Sequence, residues 1–108
     1  MLSESVDASG RADEAALRAW CLCRTPRTPE HRAFWCHSAF GLKNKDWDES
    51  IRILKEGGFN AILPNMLWAG LTYYPSEVLP VYDGLQEKGD QLAQCLAACK
   101  KHGVRCHV

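Results

Sequence analysis

The 108-residue chain carries no net charge: 13 basic side chains balance 13 acidic ones, with four histidines neutral. Holding nucleic acid or acidic lipid by bulk electrostatics needs clustered Lys and Arg, so neither class of partner is expected. No apolar run approaches the roughly 20 residues of a membrane span. Residues 1–10 are polar and acidic, lacking a basic n-region and an apolar h-region, so no signal peptide is visible. Two C-x₂₋₄-C units, the usual announcement of a zinc site, are missing as well. What is present is a chain 46% apolar. That is too hydrophobic for disorder, and the length suits one domain with a single modest core.

Six cysteines are many for this length, and three readings compete. A secreted disulfide scaffold would be loop-rich, whereas Cys95 and Cys99 sit in a segment patterned as a helix. The spacings Cys21-x-Cys23, lone Cys36, Cys95-x₃-Cys99 and lone Cys106 match no metal-ligand signature. Reduced, mostly buried thiols packing as small hydrophobes is the favoured reading, with no metal and no cofactor expected.

Residues 1–30 read as a polar tail, a short helix over Asp13–Cys23 and a connector, Arg24-Thr-Pro-Arg-Thr-Pro29, whose prolines stop a helix and favour extended chain. Trp20 and Leu22 would pack on the rest of the chain or on a domain outside it. From residue 31 the periodicity changes repeatedly. Ala33-Phe-Trp-Cys36 suits a strand covered on both faces. Asp46 with Glu49 forms a capping-box pattern, Trp47, Ile51 and Leu54 make one apolar stripe, and Gly57-Gly58 ends that helix. Phe59-Asn-Ala-Ile-Leu63 reads as a second strand closed by Pro64. Asp90 caps a second helix with the stripe Leu92, Cys95, Leu96 and Cys99, Gly103 terminates it, and Val104 to Val108 begins a third strand. The order β-α-β-loop-α-β predicts parallel strands, adjacent in chain order, with both helices on one side. The expected fold is the amino-terminal portion of a (β/α)8 TIM-type barrel. A complete barrel needs about 250 residues, so residues 31–108 are expected to be the front of a larger protein.

Between Asn65 and Gly89 no helix or strand period is evident, yet the composition is not that of a disordered linker. It holds Met66, Leu67, Trp68, Leu71, Tyr73, Tyr74, Leu79, Val81 and Tyr82. The segment leaves the carboxyl end of a parallel strand, where α/β folds place their sites. Trp and Tyr combine flat apolar faces with polar tips, which matches sugar rings with their C–H faces and rim of hydroxyls. The alternative is that these aromatics fold the loop over the barrel mouth.

Arg32-Ala-Phe-Trp, Phe59-Asn-Ala-Ile-Leu, Gly70-Leu-Thr-Tyr-Tyr-Pro-Ser76, Gly89-Asp-Gln-Leu and Lys101-His-Gly-Val-Arg-Cys-His107 succeed one another in order. Together they resemble the beginning of the glycosyl hydrolase-like 10 family, bacterial barrel proteins related to the divisome-localised glycosyl hydrolase. The resemblance spans about residues 31–108. It departs at the end of strand two, where the family commonly carries a Gln-Val-Arg-Pro-like stretch and this chain has Leu63-Pro-Asn-Met-Leu-Trp68. The resemblance implies a polysaccharide substrate such as bacterial cell-wall glycan, a cell-envelope or secreted setting, and catalytic acids on strands beyond Val108. It also implies that Cys95 and Cys99 stand where relatives place small core residues. A Cys95–Cys99–His102 metal face therefore yields to packing.

Glycoside hydrolysis usually needs two carboxyl groups flanking the scissile bond. Glu77 and Asp83, the acids of the long loop, read as solvated charges, and Asp46, Asp48, Glu49 and Asp90 serve helix starts. The substrate-binding candidates are His37 and Ser38 at the end of strand one, Asn65 at the end of strand two, and Trp68, Tyr73 and Tyr74 in the loop. His37 is equally readable as a barrel-mouth histidine bonded to a neighbour, and His107 lies on too short a stretch of strand to assign. Two functions remain open: the amino-terminal part of a glycoside hydrolase, or a carbohydrate-binding or degenerate barrel module that holds glycans without cleaving them.

Overall fold

Local signals decide where the two main helices begin. The computed structural model describes residues 1–25 and 29–108. Helix α2 (Trp47–Glu56) starts where Asp46 is extended and its carboxylate accepts the Glu49 N–H at 2.7 Å. The reciprocal half of the expected capping box does not form, because the Glu49 carboxylate is drawn to Lys45 Nζ at 2.7 Å instead. Helix α4 (Gln91–His102) is capped in the same way, Asp90 accepting from the Ala93 N–H at 2.9 Å, and it ends on Gly103 in the left-handed conformation.

Both helices pack against three short strands, β1 (Ala33–Cys36), β2 (Ala61–Pro64) and β5 (Arg105–Cys106). They form one parallel sheet in the order β1-β2-β5, so the first strand lies at an edge as the sequence predicts. Pairing sets Phe34, Ile62 and Cys106 in one row, and this row faces the core shared by both helices. Trp47, Ile51 and Leu54 are buried there, as the α2 stripe requires. On α4 the stripe is rotated from expectation: Leu96 is 46% exposed, while Gln91 and Ala98 are buried with Cys95 and Cys99.

The reason is hydrogen bonding. The Gln91 side-chain oxygen accepts the buried Trp47 Nε1–H at 3.1 Å, and its amide nitrogen donates to the carbonyls of Lys88 at 2.7 Å and Gly89 at 2.9 Å. A glutamine with every polar atom partnered is buried with little penalty, so Gln91 takes its place on the core-facing side with Cys95 and Ala98. A second tie joins the helices at the surface, where Asp48 meets Lys101 Nζ and His102 Nε2, both at 2.9 Å. Lys101, followed by His102, holds the Asp48 carboxyl below the usual carboxylate range.

The segment from Asn65 to Gly89 is more ordered than its composition announces. Strands β3 (Leu67–Trp68) and β4 (Leu71–Thr72) form an antiparallel hairpin across a two-residue turn, with Ala69 at φ 52° and Gly70 at φ 77°. Thr72, fully buried, donates its N–H to Pro80 O and accepts the Tyr82 N–H, both at 2.9 Å, so the chain doubles back on itself. A single helical turn, α3 (Leu85–Lys88), leads to α4.

The chain divides into two compact units, Met1–Glu30 and His31–Val108. In the first, the expected polar tail is helical: α1 spans Leu2–Leu22 rather than starting near Asp13. Residues 2–12 contain no proline, and extending a helix nucleated in the Ala-rich stretch outweighs the single unfavourable Gly10. No residue of α1 is buried, and the Arg24 guanidinium lies 4.2 Å over the Trp20 ring. The proline connector expected over Arg24–Pro29 includes residues 26–28, which lie outside the described residues. Among the described residues no helix is long and apolar enough to cross a membrane.

Replacing Gln91 with Leu strands the buried Trp47 indole N–H and takes the amide donor from the Gly89 carbonyl, while the Lys88 carbonyl keeps the Gln94 amide at 2.8 Å. Urea unfolding of Gln91→Leu is expected to show a loss of about 1–3 kcal/mol with an unchanged m-value.

Candidate functional site

A parallel sheet delivers the residues beyond each strand to one common edge, and here those residues are the candidates. His37 and Ser38 come directly after β1, and Asn65 after β2, where its N–H donates to Cys36 O at 3.0 Å. The β3–β4 hairpin brings Trp68 to the same edge. His37, Ser38, Asn65, Trp68 and Tyr73, with Ala39 and Phe40, line one cleft of about 200 Å³. Tyr74 is not among them. It lines a neighbouring cleft of about 340 Å³ with Pro64, Asn65, Met66, Leu67 and Val108, so Asn65 is the wall between the two.

Each side chain is held differently. The Asn65 oxygen accepts the Trp35 indole N–H at 3.0 Å, which fixes the amide and leaves its N–H₂ group as the donor. The Trp35 ring stacks on His37 with centroids 4.8 Å apart. Ser38 Oγ accepts the Phe40 N–H at 3.0 Å and retains a proton to donate. Tyr73 stacks on Tyr82 at 5.1 Å and meets the edge of Phe40 at 5.4 Å, so its ring is largely engaged in packing the loop. Trp68 is 60% exposed and does not plug the sheet edge. Of the loop aromatics, it has the most open surface for stacking on a ligand.

Among the described residues, no carboxylate lines this cleft. Asp83 lines a separate cleft with Pro75, Ser76 and Tyr82, and Glu77 is exposed. Asp46 and Asp90 are caps, Asp48 is paired across the helices, and Glu49 and Glu56 are paired with Lys45 and Arg52. The cleft therefore combines the exposed Trp68 ring with a rim of fixed donors and acceptors. His107, whose role the sequence left open, donates its N–H to Ile62 O and sets its ring against His31 at 5.6 Å.

Sequence reasoning missed a second cluster. Cys95, Cys99 and Cys106 bring their sulfurs within 4.8 Å of one another. His102, weighed as their partner, is instead turned to Asp48. Hydrogen bonding from Cys95 and then Cys99 pulls the Cys106 thiol far down to about 3. Bonding to Cys106 in turn pushes the Cys95 thiol up and the Cys99 thiol up to about 12. The missed signal is Cys106 itself: it faces inward on β5 in the row of Phe34 and Ile62, over the two successive turns of α4 that carry Cys95 and Cys99. Cys36 is also buried, so four of the six thiols lie in or against the core as the sequence predicts, and Cys21 and Cys23 are exposed.

Comparison with known proteins adds nothing to this geometry: no family model matches the chain, and neither does any curated protein or solved structure.

Two substitutions test the hairpin's part in this edge. Ala69 pays the steric cost of a left-handed conformation, about 1–2 kcal/mol, so Ala69→Gly is expected to raise the melting temperature. Trp68→Ala should change stability by less than about 1 kcal/mol, far below the roughly 3–5 kcal/mol of a buried aromatic. Thermal and urea unfolding of both variants check these values.

Proposed function

We propose that residues 31–108 form the glycan-holding edge of a glycoside hydrolase barrel acting on a polysaccharide, with bacterial cell-wall glycan the favoured class. The observation that carries this reading is the convergence of His37, Ser38, Asn65, Trp68 and Tyr73 on one cleft at the carboxyl ends of parallel strands. Sugar recognition asks for an apolar plane beside oriented hydrogen-bonding groups, and Trp68 with the fixed Asn65 amide supplies that pair. The ordered motifs that resemble the glycosyl hydrolase-like 10 family point the same way.

The barrel part of the proposal draws on the sheet's other face. Trp35, 63% exposed, pairs with Leu63, 38% exposed, in a row turned away from the helices. In a closed (β/α)8 barrel this row belongs to the packed interior, which further strands would complete. The lack of a carboxylate in the cleft favours a second reading for this chain taken alone, a non-catalytic carbohydrate-binding or degenerate barrel module.

Titration calorimetry of the chain with short soluble glycan strands tests the proposal. Trp68→Ala and Asn65→Ala are each expected to weaken binding at least tenfold, about 1.4 kcal/mol, while Trp20→Ala in the first unit leaves it unchanged. Equal affinity in all three variants, or no binding by the parent chain, contradicts it. The chain is expected to release no reducing sugar. Release that disappears on changing Glu77 or Asp83 would move catalysis into the long loop.

A further inference from the structure

Three sulfurs converge in the helix–sheet core: Cys95 lies 3.9 Å from Cys106 and 4.0 Å from Cys99, and all three lie within 4.8 Å of one another. We propose that Cys95, Cys99 and Cys106 form a binding site for one thiophilic metal ion, zinc or monovalent copper. An ion with bonds of about 2.3 Å to sulfur keeps tetrahedral ligands about 3.8 Å apart and trigonal ligands about 4.0 Å apart. Two of the three pairs already stand at that spacing, and the Cys99–Cys106 pair has to close by at most about 1 Å around such an ion. Thiolates are soft donors, and three of them select zinc or monovalent copper over hard cations such as magnesium and calcium.

Packing alone does not require this arrangement. Two successive turns of α4 and the facing strand β5 each contribute a sulfur to one point, where methyl groups would fill a helix–sheet contact equally well. Cys95 and Cys99 are buried, and Cys106 is half-buried. The Cys106 side is thus the more exposed edge of the cluster, from which an ion would enter. No other Cys, His, Asp or Glu joins the group among the described residues. Three protein ligands suit trigonal copper directly, or zinc completed from solvent. An ion there would pin β5, whose pairing within the sheet is limited to Ala61–Arg105 and Ile62–Cys106, to α4.

The test uses the full chain, reduced and metal-free, with the exposed thiols removed as Cys21→Ser and Cys23→Ser. Zinc and, without oxygen, monovalent copper are titrated separately against chromophoric chelators. One equivalent of one ion is expected, held at least 100-fold more tightly than by the same protein carrying Cys106→Ser, and with a raised melting temperature. The arm that shows this identifies the ion. Failure to hold either ion at one equivalent overturns the proposal, as does equal retention by a Cys106→Ser variant with an unchanged circular dichroism spectrum. Cobalt(II) added to the cysteine-intact core gives a readout that needs no variant in the site. An intense near-ultraviolet thiolate-to-cobalt band supports the site in its zinc form, and its absence together with no monovalent copper held at one equivalent contradicts the proposal.

Discussion

The second unit is organised around one buried amide. Gln91 accepts the Trp47 indole N–H from the start of α2, donates to the carbonyls of Lys88 and Gly89, and through its own N–H binds Tyr73 O at 3.1 Å. One residue thus joins the first turns of both helices to the long loop that supplies Trp68 and Tyr73. Buried polar groups with all partners present rigidify their surroundings, whereas a half-satisfied network is costly. The position of the hairpin at the sheet edge depends on this junction, and so does the cleft.

Around that junction the layers divide the work. The face of the sheet bearing Phe34, Ile62 and Cys106 is covered by the helices and provides the stability of the unit. The strand ends carry polar and aromatic side chains whose packing partners are few. Phe40 bridges the two loops, meeting Tyr73 and Tyr82 with its edge and receiving Lys88 Nζ at 4.3 Å. Tyr73, backed by Tyr82, therefore builds the wall of the cleft, with the exposed Trp68 and the half-buried Asn65 also lining it.

Much of this was legible because it is local. Asp46 and Asp90 cap through their own third residue, and Trp47, Ile51 and Leu54 fall on one helical face whatever lies opposite. The parallel order of the strands came from the alternation of strand and helix. What escaped was set by tertiary partners. Gln91 looks like a surface residue until Trp47 is placed beside it, and Leu96 looks like core until the buried face is seen to run through Gln91, Cys95 and Ala98. The hairpin lacked the Asn-Gly or Asp-Gly signal of its turn, since Ala69 occupies a position that disfavours it. Cys106 joined Cys95 and Cys99 only once the register of β5 against β2 was known. The candidate cleft was legible by a different route: the fold rule that strand ends form sites placed His37, Ser38 and Asn65 together, while Tyr74 fell one cleft away because alternate residues of the chain leave the hairpin on opposite sides.

Sugar binding at the strand-end cleft, as proposed, is directly observable. Four tryptophans, with indole N–H groups in four different settings, make nuclear magnetic resonance the most direct probe. On titration of the isotopically labelled chain with soluble glycan strands, the account predicts shifts for the Trp68 and Trp35 indoles and the Asn65 side-chain amide. Trp47, sealed against Gln91, and Trp20, in the first unit, should stay unmoved. Shifts confined to Trp20, or a spectrum unchanged at saturating glycan, would contradict the claim.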